Sequence, residues 1–332
     1  MPRSIVRPGA LLRSVAAVAV LLLALAGCGS DAPSDEGAGA ASGAFPVTLN
    51  HAFGQTTIPA EPKRVVAIGY NDADFVLATG VVPVGVREFS GGFDWQNRPW
   101  AQQAQGGQKP VPLEGETVPV EKVAALQPDA IIGVYSFLDK ATYDKLSQIA
   151  PTVAQPTPDG MDAATWQEQT KITGQALGRT AQADQAVAAT EKKFADVKAA
   201  HPDFAGKKLT VDFVVEGEAT KLRTDDLRAQ AFQGLGFSVP AESTSLSAEK
   251  QGELNGDVIA VLGRSKAEAM ADPVFANIPA VKAGRVAFLS DTFTTEFAGA
   301  LGYSSPLSLP YAIDYMAPRL DAALKGQGLA AS

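Results

Sequence analysis

The sequence predicts an α/β fold of two Rossmann-like lobes, each with a mostly parallel central sheet, joined by a single long helix. Three observations carry that prediction. First, one supersecondary unit is written twice. Thr117–Val134 (TVPVEKVAALQPDAIIGV) and Ser245–Leu262 (SLSAEKQGELNGDVIAVL) share Glu121/Glu249, Lys122/Lys250, Leu126/Leu254, Asp129/Asp257 and Ile131/Ile259 at a constant offset, which points to two similarly built lobes. Second, in each half of the chain apolar strand-like runs alternate with single helical patterns, as in right-handed βαβ units. Third, residues 162–200 carry no strand signal, and Ala183, Val187, Thr190, Phe194 and Val197 recur on one helical face. A chain of 332 residues is long enough for two cores, and 46% hydrophobic with 19% charged residues is a globular balance.

The N-terminus reads as a leader. Arg3, Arg7 and Arg13 precede an apolar run, Val15–Leu25, too short to span a bilayer, which ends at Leu25-Ala26-Gly27-Cys28. Small residues before the sole cysteine look like a lipobox, with Cys28 the lipidation site and 1–27 the lipoprotein signal peptide. That lone cysteine excludes an internal disulfide and a multi-thiolate metal site. Residues 28–44, rich in Gly, Ser and Ala, cannot bury a core and form a flexible tether. Removing the leader deletes three of the 28 basic residues and none of the 36 acidic ones, leaving a net charge of −11. Such a balance argues against nucleic-acid partners and against docking on anionic lipid.

The body divides into an N-terminal lobe (45–161), a linking long helix (162–203) and a C-terminal lobe (204–332). Phe45–Ile58 reads as a β-hairpin, Lys63–Gly69 as a buried strand, and Asn71 as the cap of a helix that Gly80 stops. Val81–Val86 follows as a strand. The polar stretch Glu88–Glu116, with Trp95 and Trp100, reads as a long functional loop. The first repeat copy supplies helix 119–126 and strand 129–134, and Asp139 caps a helix ending before Pro151. The linking segment has a break near Gly174 or Gly178 and ends at His201-Pro202. Strand 208–215, helix 224–234, strand 237–239, the second copy and strand 285–290 complete the chain, with helices to the end.

Enzyme signatures are missing: there is no HExxH, GxSxG, Walker-type loop or GxGxxG. His51 and His201 suit structural roles, and Asp72/Asp74 and Asp225-Asp226 read as helix N-termini. If a ligand binds past the carboxyl ends of the strands, between the lobes, the candidates are Tyr70, Arg87, Tyr135, Phe137, Arg223 and Phe293. Trp95 from the long loop and Tyr303 from GALGYSS close over the opening. Aromatic rings suit a broad, partly apolar chelate or macrocycle, and arginine suits anionic oxygens. Glu121 and Glu249, each in the first turn of a short helix, present one exposed carboxylate per lobe in equivalent places.

Six blocks, PKRVVAIGYNDADFVLATGVVPVGV, VPVEKVAALQPDAIIG, YDKLSQIAPTV, ALGR before a long helix, DPVFANIPAVKAGRVAFLS and SPLSLPYAIDYMAPRL, occur in that order. They resemble the bacterial ABC-importer substrate-binding proteins for ferric siderophores, haem and cobalamin. The opening HAFGQTTIPAEPKRVVAIG resembles the ferric-siderophore branch most, and the resemblance covers Phe45 to Leu320. It implies two lobes joined by one long helix, with Glu121 and Glu249 meeting arginines of a permease. It further implies a monomer without a cofactor or enzymatic activity, lipid-anchored on the extracytoplasmic face of the cell membrane. That protein delivers an iron–siderophore complex to an ABC permease. Haem or a cobalamin-like corrinoid is the alternative ligand; a cell-surface lipoprotein enzyme or adhesion protein is the reading from a different class.

Overall fold

The computed structural model describes residues 45–330 apart from 88–92, 116, 158–163, 216, 223 and 243. The expected signal peptide and tether, Cys28 and Arg223 lie outside the described residues. The body opens with the expected hairpin, β1 (Val47–His51) against β2 (Gly54–Ile58). The first central sheet has the order β5-β4-β3-β6-β7 and is parallel throughout. It comprises β3 (Val65–Ala67), β4 (Gly85–Arg87), β5 (Val111–Leu113), β6 (Ala130–Ile132) and β7 (Thr152–Val153). Its helices are α1 (Asp72–Ala78), α2 (Gln102–Gln105), α3 (Val120–Ala125) and α4 (Lys140–Ser147), the last capped by Asp139 as the sequence predicts.

Two helices follow, α5 (Trp166–Ala176) and the 21-residue α6 (Thr180–Ala200). The break falls at Gly178, whose φ of 66° a side-chain-bearing residue adopts only at a cost. The predicted stripe of α6 is real: Ala183, Val187, Thr190 and Phe194 are buried.

The second sheet runs β10-β9-β8-β11-β12. β8 (Leu209–Val215), β11 (Val258–Leu262) and β12 (Val286–Ser290) are parallel, and β9 (Glu218–Lys221) with β10 (Thr244–Ser245) adds an antiparallel edge. Around it pack α7 (Leu227–Gly234), α8 (Lys266–Ala271), α9 (Pro273–Ala276), α10 (Pro279–Lys282), α11 (Glu296–Tyr303) and α12 (Ser308–Leu324). The fold is the expected pair of α/β lobes with a long helix between them.

Each central sheet is covered on both faces, which is why its strands read as continuous apolar runs. In β3, Val65 and Ala67 join Val86 and Ile132 in one core, while Val66 and its successor Ile68 join Leu113, Val123 and Ile131 in another. The second sheet repeats this division, with Val258, Ala260 and Leu262 on one side and Ile259 and Val261 on the other.

The repeat is a structural equivalence. Asp129 heads β6 and accepts the N–H groups of Lys63 and Arg64, both at 2.8 Å, just before β3. Asp257 heads β11 and accepts the Lys208 N–H at 2.8 Å, just before β8. One aspartate per lobe thus ties the start of its strand to the neighbouring parallel strand.

Two expectations are corrected, and one element went unforeseen. The stretch 88–116 is not one long loop: it supplies α2 and the edge strand β5. The expected strand at 237–239 is reduced to a single bridge between Lys208 and Ser238. The antiparallel edge was hidden because β9 (Glu218–Lys221) is mostly polar and half-exposed, without the alternation that marks a strand.

The lobes are joined by a buried polar knot on α1. Asp74 Oδ1 accepts Arg98 Nε and Nη2, each at 2.7 Å, and Oδ2 accepts Trp100 Nε1 at 2.7 Å and Ser305 Oγ at 3.0 Å. Ser305 lies between α11 and α12, so the carboxylate holds both lobes. Removing one partner of such a pair strands the other charge in the interior. Asp74→Ala should therefore cost about 3–5 kcal/mol of unfolding free energy in denaturant titrations. Arg98→Met in the same chain should recover part of it; a single-mutant loss below about 1 kcal/mol would mean that the knot does not hold the lobes.

Candidate ligand-binding site

Open α/β sheets bind ligands beyond the carboxyl ends of their strands. Here the ends of both sheets contribute to one cleft of about 350 Å³. Tyr70 follows β3, Tyr135 and Phe137 follow β6, Phe213 lies near the end of β8, and Phe293 follows β12. Arg228, in the first turn of α7, adds a cation, and Leu227, Leu262 and Leu301 add aliphatic surface. The wall is therefore aromatic and apolar, with two phenol hydroxyls and one guanidinium.

On the first lobe the rings form a cluster. Phe137 lies 4.9 Å from Tyr135, edge to face, and 5.9 Å from Tyr70. Phe137 adopts φ 52° and keeps 42% of its surface exposed. A left-handed backbone costs a non-glycine residue about 1–2 kcal/mol, and this residue gains little burial in return. Strain retained to present a ring at a cleft is the pattern of a functional site. Facing it on the second lobe, Phe213 and Phe293 pack 4.9 Å apart, with the Arg228 guanidinium 4.2 Å from the Phe213 ring. Asp226 fixes that guanidinium at 2.8 and 2.6 Å and also caps α7.

Two buried groups stand behind the wall. The Arg87 guanidinium lies 3.9 Å from the Tyr70 ring, and its Nη2 donates to the Tyr70 hydroxyl at 3.1 Å. Asp72 is fully enclosed and accepts the N–H of Gly69 at 3.0 Å and of Tyr135 at 3.2 Å. Burial pushes its carboxyl up to about 7, against the pull of the surrounding backbone N–H groups and of Arg87.

Of the residues expected at the site, Tyr70, Tyr135, Phe137 and Phe293 come together in the cleft. Arg87 does not line it; it props Tyr70 from below. Trp95 is no lid: it is buried in the first lobe's core with Phe93 and Val86. Tyr303 is likewise buried, joining that same core from α11, with the Arg98 guanidinium 5.1 Å from its ring. Trp95 was expected at the mouth because Gly and Pro near it suggested an exposed loop, whereas the ring is held in the first lobe's core. Phe213 and Arg228 were missed. Alternation along β8 carried a signal for Phe213, which shares a face with Leu209 and Val211; nothing in the sequence marked Arg228.

The other expected groups sit elsewhere. Glu121 on α3 and Glu249 on the 3₁₀ helix 248–254 are exposed, each in the first turn. His51 hydrogen-bonds Thr56 at 2.9 Å, and His201 stacks on Phe204 and meets Asp321 at 3.3 Å, both structural positions. A larger groove of about 630 Å³ lies between α5, α6 and α7. Polar side chains such as Gln167, Glu191, Lys198 and Gln233 line it, and none of its lining residues belongs to a strand, so the smaller cleft is the candidate site.

Phe137→Gly should relieve the strained backbone, leaving thermal stability unchanged or higher by up to about 1 kcal/mol. Loss of the ring should weaken ligand binding about three- to tenfold in calorimetric titrations. A large drop in stability with intact affinity would make Phe137 a packing residue.

Comparison with known proteins identifies the family. Residues 65–292 match the periplasmic binding protein family. The chain is 31% identical over 202 residues to the probable siderophore-binding lipoprotein YfiY of Bacillus subtilis (strain 168); the match covers 60% of this chain and 59% of that relative. A periplasmic solute binding protein of Mycobacterium smegmatis superposes with a TM-score of 0.72 at 34% identity, over 84% of this chain and 98% of that one. PiaA of Streptococcus pneumoniae, solved in complex with ferrichrome, gives 0.73 at 27% identity, over 84% and 99%. The chain belongs to the periplasmic binding protein family.

Proposed function

We propose that this protein is the extracytoplasmic substrate-binding protein of an ABC importer, which captures a ferric siderophore in the aromatic cleft and delivers it unchanged to a permease. The observation that carries the reading is the cleft at the ends of both sheets, where five aromatic rings surround a single fixed guanidinium. Chelated iron presents a broad surface that is partly apolar and partly oxygen-rich. Rings contact the first part, and Arg228 and the phenol hydroxyls contact the second. Relatives named for siderophore binding, and one solved with ferrichrome, support the ligand class. Binding and release need no catalytic group.

Calorimetric titration with ferrichrome, a ferric catecholate, ferric citrate, haem and cobalamin tests this. At least one ferric siderophore should bind at micromolar concentration or tighter. Arg228→Ala should weaken an anionic chelate about ten- to a hundredfold and a neutral one less. Binding of haem or cobalamin alone would reassign the ligand, and binding of none would overturn the reading.

Delivery requires a membrane partner. Glu121 and Glu249 occupy equivalent exposed positions on two lobes, which suits paired contacts with cations of a permease. Charge reversal of either should leave ligand affinity unchanged and stability within about 0.5 kcal/mol, while uptake falls, and falls further in the double variant. A loss of several kcal/mol with normal transport per folded molecule would make them structural caps. Lipid attachment at Cys28 would keep the body near that permease, on the tether 28–44. Cys28→Ala should bind ligand normally yet no longer partition with membranes, since acyl chains supply about 0.8 kcal/mol per buried CH₂; a variant still bound to membranes would rule the anchor out.

A further inference from the structure

We propose that Asp72 is the positioning residue of this cleft: its carboxylate, shared between the Gly69 and Tyr135 amides, holds the rings of Tyr70 and Tyr135 in place, and the cleft grips its ligand only while that carboxylate is ionised. The proposal rests on the cleft being the ligand site. Three features of the geometry lead to it.

Asp72 lies on neither strand that carries the wall, yet it ties both together. Oδ2 accepts from Gly69 at 3.0 Å, the residue before Tyr70, and Oδ1 accepts from Tyr135 itself at 3.2 Å. Beside this clip, the Tyr70 N–H donates to the Tyr135 carbonyl at 2.9 Å. One side chain and one backbone bond therefore tie together the points at which the two tyrosines leave their strands. The approach is close enough to dictate the sequence: a Cβ on Gly69 would lie 2.1 Å from Asp72 Oδ2.

The clip also needs two acceptor oxygens. An ionised carboxylate accepts strongly on both, whereas an amide turns an NH₂ donor toward one of the two N–H groups and loses that bond, and a protonated acid keeps there only a weakly accepting hydroxyl oxygen. Protonation therefore loosens one end of the wall. Among the groups around it, Arg87 of β4 supplies the facing positive charge, and it simultaneously clamps Tyr70. Asp74 of the same helix is turned to Arg98 and Trp100 instead. The titratable groups of the wall are the phenols of Tyr70 and Tyr135, and burial pushes the latter upward.

The change falls in an accessible range, because burial raises the Asp72 carboxyl to about 7. Since its unfolded value is near 3.8, the folded protein holds an extra proton between these limits. Folding stability therefore rises as pH falls through 7, while the proposal requires affinity to fall. Opposite directions separate a positioning role from a structural one.

The test uses the whole chain and its Asp72→Asn variant. In the ligand-free wild type, the amide resonances of Gly69 and Tyr135 should titrate together near pH 7, and in the variant they should not. With ferrichrome and ferric citrate as probes, affinity of the wild type should drop about tenfold from pH 8 to pH 5.5. The variant should bind weakly and equally at both values, while the wild type melts at higher temperature at pH 5.5 than at pH 8. Amides that do not move with pH, or a variant that keeps the wild-type slope, would overturn the proposal. Should neither probe nor any other ferric siderophore bind at pH 8, the siderophore reading fails, and the amide titration still decides the role of Asp72.

Discussion

The structure depends on one buried carboxylate. Asp74 sits at the start of a seven-residue helix, and its two oxygens receive four donors, from Arg98, Trp100 and Ser305. An ion pair enclosed this fully gains little net stability over an apolar alternative. What it supplies is geometry, because every donor must arrive at a fixed angle. Around it the two cores interlock: Phe75 of α1 packs into the second lobe's core, and Tyr303 of α11 into the first. The lobes cannot part without exposing both rings and breaking the Ser305–Asp74 hydrogen bond, so the cleft beside this junction has walls held at a set separation.

Two residues away on the same helix, Asp72 meets a different environment. Asp74 is matched by an arginine in direct contact, whereas Asp72 is matched mainly by backbone N–H groups, with Arg87 acting through the field. The pair shows how burial with a contacting cation and burial without one give different surroundings to two carboxylates only two residues apart. One side of α1 thus meets the second lobe, and the other backs the aromatic wall of the cleft.

The duplicated unit has a comparable division of labour. Its aspartates, Asp129 and Asp257, bind the backbone at the entry to a neighbouring parallel strand, a role that any such lobe requires. Its glutamates, Glu121 and Glu249, stay exposed. A shared aspartate reports shared architecture; the shared glutamates, both exposed in the first turn of a helix, are the part of the repeat proposed as a site for a partner.

The sequence by itself determined the fold class, because periodicity is a local property. Runs such as Val65–Ile68 and Val258–Leu262 are apolar on both faces whatever surrounds them, and the stripe from Ala183 to Phe194 is one helical face wherever the helix lies. Half of the cleft was legible for the same reason, since Tyr70, Tyr135, Phe137 and Phe293 stand just past strand ends, where an open sheet places its ligand. Tertiary structure decided the rest. Trp95, Tyr303 and Arg87 look like surface candidates until the junction closes over them, and Arg228 becomes a cleft residue only because α7 packs against the end of β8. Which side of a loop faces solvent depends on contacts between residues distant in sequence, Asp74 with Ser305 above all, and no local pattern encodes such a pairing.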